Sequence, residues 1–193
     1  MDIAGIAQAL AASGLRMHAV EEPGNRMPVW AARLASHCRH NEGRRDFVIN
    51  RSDPGFLEAA NSAWFRLAND EGLFDRKGEF LLAVNRAEWD DELSDMVWVR
   101  VGLMDEWDIF RSHSDSYPDI FGYEGYPEFV MLSTDGNLVL QATNWDNGSM
   151  GLVLLSRPHR SATIREYAQR RKSNPSIPES RRIDGINWLR SAT

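Results

Sequence analysis

FVMLSTDGNLVLQATNWDNGSMGLVLL, residues 129–155, is the stretch that decides the fold. Three apolar runs, 129–133, 138–143 and 150–155, are separated by Asp135-Gly136 and by Asp146-Asn147-Gly148. Each run has the length of a strand and is short for a helix, and the Asp-Gly and Asn-Gly pairs supply the positive φ that tight or bulged hairpins require. The stretch predicts an antiparallel meander over about residues 128–155.

Working upstream, 80–84 and 96–101 read as two further buried strands, the second placing Val97, Val99 and Val101 on one side. Before them the periodicity is helical. Ile3, Ile6 and Leu10 share one face of a first helix that Gly14 would cap. Pro28 suits a first helical turn, and Met27, Trp30, Leu34 and Cys38 follow at helical spacing as a core stripe. Arg33, His37, His40 and Arg44 would form a basic edge of the same helix. A third helix takes Asp53 as N-cap and Pro54 at its first position, buries Leu57, Ala60, Trp64 and Leu67, and ends before Gly72. Downstream, Thr163 and Glu166 form a capping box for a final helix through Lys172. Residues 173–182 are rich in Pro and Ser and read as irregular, whereas Ile183, Ile186, Trp188 and Leu189 are too apolar for a free tail.

Helices first, a meander later and no glycine-rich strand-to-helix loop give an α+β class: N-terminal helices packed on a mainly antiparallel sheet, with a final helix. The expected organisation is one domain over residues 1–193, with 173–193 an irregular tail docked by its last residues. At 193 residues, with 42% hydrophobic and 26% charged side chains, the chain suits a single core. No stretch approaches the roughly 20 apolar residues of a membrane span. The apolar run 3–15 follows Asp2, lacks a basic flank and is interrupted by Gln8, so it reads as a helix of the mature protein and not as a signal segment. Cys38, the single cysteine, excludes an internal disulfide and favours a reducing cytoplasm. The 20 arginines against two lysines, with an alanine-rich first helix, suggest a GC-rich coding genome.

Charge is distributed unevenly. Residues 70–128 carry 16 acidic against 5 basic side chains, while residues 157–193 carry 9 basic against 3 acidic. The net charge of −6 has the wrong sign for binding duplex nucleic acid, where phosphate neutralisation dominates. The basic end could fold onto the acidic middle, or leave it open to a basic partner.

Within the acidic segment, Glu88, Asp91, Glu92 and Asp95 would gather on one face of a helix over 86–96. Like-charge pairs at such spacing cost about 0.2–0.5 kcal/mol each, to be offset by placement of Glu88 near a helix N-terminus, the protein's own arginines, a bound cation or a basic partner. The commonest reading of such a run is a solvated acidic face. Asp105, Glu106 and Asp108 extend the acidity around Trp107, and the connection 112–127 carries Tyr117, Tyr123 and Tyr126 among Asp115, Asp119 and Glu124. Tyrosines interleaved with acids suit a surface that contacts arginines. Phe121 in the same connection could instead lid the core.

Other motifs read as structure. His37-Cys38-Arg39-His40 offers two imidazoles on one helical face, and two ligands do not make a zinc site. Asn147-Gly148-Ser149-Met150-Gly151 has Asn where a nucleophile elbow needs its first Gly, and a strand-like run where that motif needs a helix. No phosphate-binding loop, dinucleotide fingerprint, HExxH or calcium loop is present, so no cofactor is expected.

In general character, an acidic segment followed by a tyrosine-bearing loop, the chain resembles small acidic bacterial immunity proteins and secretion chaperones. The expected function is a non-catalytic cytoplasmic binding protein that engages and neutralises a basic protein partner, a toxin or effector. Its contact residues would be Glu88, Asp91, Glu92, Asp95, Asp105, Asp108, Asp115, Tyr117, Asp119, Tyr123 and Tyr126. The alternatives are a hydrolase or metal-dependent enzyme using carboxylates of residues 88–128 with His113, and a DNA-mimicking inhibitor.

Overall fold

A computed structural model describes residues 3–21, 26–85, 96–111, 120–123, 126–177 and 179–191. The chain runs α1 (Ile3–Ala12), β1 (Leu15–Val20), α2 (Val29–Ala32), β2 (Arg44–Asn50), α3 (Phe56–Glu71), β3 (Glu79–Asn85), β4 (Met96–Leu103), β5 (Gly122–Tyr123), β6 (Tyr126–Pro127), β7 (Phe129–Leu132), β8 (Leu138–Asn144), β9 (Ser149–Ser156), α4 (Ala162–Lys172) and α5 (Glu179–Ser191). The quoted stretch forms the expected meander, with Met131 opposite Leu140 and Leu140 opposite Leu154. Its turns are the ones the composition demands: Gly136 and Gly148 both take positive φ, at 76° and 83°. Asn147 Oδ1 accepts from the Ser149 amide and hydroxyl, so Ser149 is tied into a hairpin.

These strands occupy the middle of a seven-stranded sheet ordered β1-β4-β3-β7-β8-β9-β2, and every pairing is antiparallel. Helices cover both faces. On the first face α1 and α3 set Ile6, Leu10, Ala60 and Trp64 against Phe80, Leu82, Val99, Met131, Leu140 and Leu152. On the second, α2, α4 and α5 set Val29, Ile164, Ala168, Ile186 and Trp188 against Leu81, Ala83, Trp98, Val130, Val139 and Val153. Burial on both faces explains why the central strands are apolar runs without alternation. The α+β class holds, with the refinement that the C-terminal helices close the face opposite to α1 and α3. Among the described residues no helix is long and apolar enough to cross a membrane.

The differences from expectation fall at the sheet edges and helix ends. Neither edge strand, β1 nor β2, was expected. Each is covered on fewer sides than a central strand, so Arg16, His18, Arg45 and Asp46 are tolerated and the apolar run is missing. β1 also carries a bulge between Met17 and Ala19. The long second helix expected through Cys38 is one turn, α2, followed by tight 3₁₀ turns at Ala35–His37 and His40–Glu42. Side chains take over its backbone hydrogen bonds: Gln141 Oε1 accepts from the Ser36 amide at 3.0 Å, and Arg44 donates to the carbonyls of Ser36 and Cys38 at 2.5 and 3.0 Å. Met27 and Cys38 are buried all the same. α3 starts at Phe56 behind Gly55, two residues after Pro54, and ends at Gly72 as expected. The irregular C-terminal stretch gives way to α5 at Glu179, which buries Ile186, Trp188 and Leu189 and leaves Ile183 exposed.

The N-cap of α4 is Ser161, whose hydroxyl accepts from the Ile164 amide. Thr163 is used elsewhere. Its amide and hydroxyl donate to Glu42 at 3.0 and 2.8 Å, and Ser161 and the Arg39 amide donate to the same carboxylate. This knot fastens the turn before β2 to the start of α4. Burial raises the Glu42 pKa, but the four donors outweigh it and hold the group below its ordinary value. A depressed folded pKa adds stability that is complete above the unfolded value, roughly 4.3, and disappears as pH falls through the folded one. Glu42→Gln is expected to cost about 1 kcal/mol at neutral pH. Urea titrations across pH should show that difference shrinking toward zero in acid.

Candidate binding surface

The segment after β4 is pinned to the turn between α1 and β1. The Met104 amide donates to the Gly14 carbonyl at 2.9 Å, and the Asp108 amide donates to Ser13 at 3.2 Å. Gly14 has φ +75°, and a Cβ there would lie 2.1 Å from the Glu106 carbonyl oxygen and 2.4 Å from the Trp107 Cα. Only glycine permits this approach.

From the other side α3 supplies Asn61, which donates to Asp108 Oδ1 at 2.7 Å and accepts from the Ile109 amide at 3.0 Å. Asp108 Oδ1 also accepts from the amides of Phe110 and Arg111. Asp108 is thus the residue that holds the loop, and its carboxylate is largely committed inside the molecule. Trp107 wedges between two rings of α3: its centroid lies 5.3 Å from Trp64, edge-on, and 5.2 Å from Phe65 in a stack inclined by 23°. Ile109 and Phe110 then enter the core.

The outcome is a surface of mixed character, tied down by these contacts. Phe65 and Met104 are 38% and 39% exposed, and Asp105 and Glu106 beside them are exposed. Sequence reasoning located the acids but missed Phe65 and Met104. The signal was available in part: Phe65 follows Trp64, so one of the two rings had to leave the buried face of α3.

The tyrosine connection divides. Phe121 is buried, edge-on to Phe129 at 5.5 Å, and lids the core. Tyr126 is 57% exposed, and the Arg51 guanidinium lies 4.0 Å from its ring centroid. Tyr123 pairs with Tyr126 in the β5–β6 ladder. Glu128 pairs with Arg33 at 2.5 Å. Glu88, Asp91, Glu92 and Asp95 with their expected helix, and Asp115, Tyr117, Asp119 and His113, lie outside the described residues.

The described acids Asp105, Glu106 and Asp108 lie on the face of the sheet opposite to the basic C-terminal helices. The 104–110 segment belongs to the first face of the sheet, with α1 and α3, whereas α4 and α5 pack on the second. Among the described residues no group of three His, Cys, Asp or Glu side chains is placed to hold a metal ion. The His37–His40 pairing loses its premise, because no helix connects the two residues. Cys38 lies buried against the Leu34 carbonyl and Ser161 hydroxyl at 3.3 and 3.2 Å. Burial, the largest effect, raises its pKa and keeps it a thiol. No family model, curated protein or solved structure matches the chain.

Gly14→Ala is expected to destabilise the fold by about 3 kcal/mol, through strain at positive φ and the clash with residues 106–107. Hydrogen exchange should localise the damage, with the Met104 and Asp108 amides losing protection before those of β8.

Proposed function

We propose that this chain is a non-catalytic binding protein that engages a basic protein partner through the acidic, aromatic surface built on residues 104–108 and α3. The observation that carries this reading is the Phe65–Trp107 stack, partly open to solvent beside Asp105 and Glu106. Partly exposed aromatic rings in a fixed position provide contact area at little entropic cost, and carboxylates around them select guanidinium or ammonium groups. The backbone bonds to Ser13 and Gly14 and the Asn61 clamp set the surface in advance, which lowers the ordering cost of association. Such a surface suits the cytoplasmic neutralisation of a basic bacterial toxin or effector, or its escort before secretion.

The test replaces Asp105 and Glu106 by Lys and Phe65 by Ala, leaving the loop-holding Asp108 intact. Wild type and variant serve as baits in quantitative affinity purification from the native host. Wild type is expected to retain a basic protein that the variant loses by at least about tenfold, equivalent to about 1.4 kcal/mol. Unaltered melting temperature and circular dichroism would show that the variant is folded. Equal recovery of the same proteins by both baits would refute the proposal.

A further inference from the structure

Every ion pair among the described residues uses a cation before or within the acidic segment, where Arg16, Arg39, Arg51, Arg66 and Arg76 have no carboxylate partner. Arg26, Arg33, Arg44, Arg45 and Arg100, all before or within the acidic segment, each have a carboxylate partner. Arg165, Arg170, Arg171, Lys172 and Arg182 have none among the described residues. Arg171 lies 4.9 Å from the Trp30 ring centroid, and the Nε atoms of Arg171 and Arg182 are buried without a hydrogen-bond partner. Between α4 and α5 runs an open groove of about 320 Å³, with Ile186 and Leu189 at its base and Arg165, Gln169, Lys172 and Arg190 along its sides. The local field is positive: burial, and after it the guanidiniums of Arg160, Arg157 and Arg165, hold the His159 imidazole below its ordinary value.

We propose that this α4–α5 face docks the acidic 104–108 face of a second copy of the chain, giving head-to-tail association. Charge complementarity and the placement of the two faces argue for this occupant. Residues 157–193 are as one-sidedly basic as residues 70–128 are acidic. In one copy the sheet and its helix layers stand between the two faces, about two layer spacings of about 10 Å each. That separation exceeds the Debye length of about 8–10 Å, so within a copy the attraction is screened, and only another copy can bring the faces into contact. Apolar groups match as well: Phe65 and Met104 stand out from the acidic face, and Ile186 and Leu189 lie at the base of the basic groove. The net negative charge disfavours a nucleic acid as the occupant. Because the two faces differ, each contact leaves one of each kind free, and association continues beyond the dimer. The inference uses the acidic face of the proposed function and adds a second face to it.

Sedimentation velocity of the full chain over a concentration series, at about 0.05 M and about 0.5 M salt, is the test. At low salt the average mass should rise with concentration above the 21.9 kDa of one copy, and at high salt it should return to that value. Two variants then separate the faces. Arg165→Gln with Lys172→Gln neutralises exposed side chains of the basic face, and Asp105→Asn with Glu106→Gln does the same for the acidic face. Each alone should weaken self-association by at least about tenfold, while an equimolar mixture should form a one-to-one dimer and nothing larger. The basic-face variant should still capture the basic partner, so loss of self-association is distinguishable from loss of the proposed function. A monomer at every concentration and salt overturns the inference, as does association that resists salt or survives both variants. Binding of a single-stranded RNA or of anionic vesicles by a chain that stays monomeric, abolished by the Arg165 and Lys172 changes, overturns it too.

Discussion

Burial of the central strands on both faces is the constraint from which the rest of this structure follows. β3, β7, β8 and β9 present apolar side chains up and down, so an uncovered face would expose a continuous apolar sheet. Two helical layers are therefore obligatory. The chain supplies them with α1 and α3 on one face and the C-terminal α4 and α5 on the other, joined there by the single turn of α2. The candidate surfaces inherit their positions from that division. Residues 104–110 leave β4 on the side of α1 and α3, and α4 and α5 lie on the opposite side.

Two small polar arrangements make the layers specific. On one face Asn61 and the Ser13–Gly14 backbone hold residues 104–110 so that Trp107 closes the core over Trp64. On the other, Glu42 joins the turn before β2 to the start of α4, using donors that a helix start would otherwise leave unpaired. Each replaces an orphan backbone group with a fixed partner. Each also brings together segments far apart in sequence, which is why neither arrangement is visible as a local motif.

The central strands and α3 were legible because local signals agree there: strand-length apolar runs, Asp-Gly and Asn-Gly turns, and a helix stripe closed by Gly72. The edge strands were not, since solvent on one side lets Arg45, Asp46 and His18 occupy strand positions that composition alone assigns to loops or helix faces. The same competition shortened the second helix. Met27, Trp30, Leu34 and Cys38 have helical spacing, but Gln141 and Arg44 take the backbone groups of residues 36–38 that another helical turn would pair. At the candidate surface, the acidic residues could be read directly, and their division into an exposed Asp105 and Glu106 and a half-buried Asp108 that holds the loop could not.

By itself the sequence determined the antiparallel meander, the apolar centre and the opposed charges of the middle and the C-terminus. Periodicity, turn chemistry and charge are properties of neighbouring residues, and they survive any packing. Only the tertiary structure decided which face each charged segment occupies, which carboxylate is committed to holding a loop and which aromatic rings reach solvent. Those outcomes depend on contacts between residues dozens of positions apart, Asn61 with Asp108 and Glu42 with Thr163 among them, and no local pattern encodes such a contact.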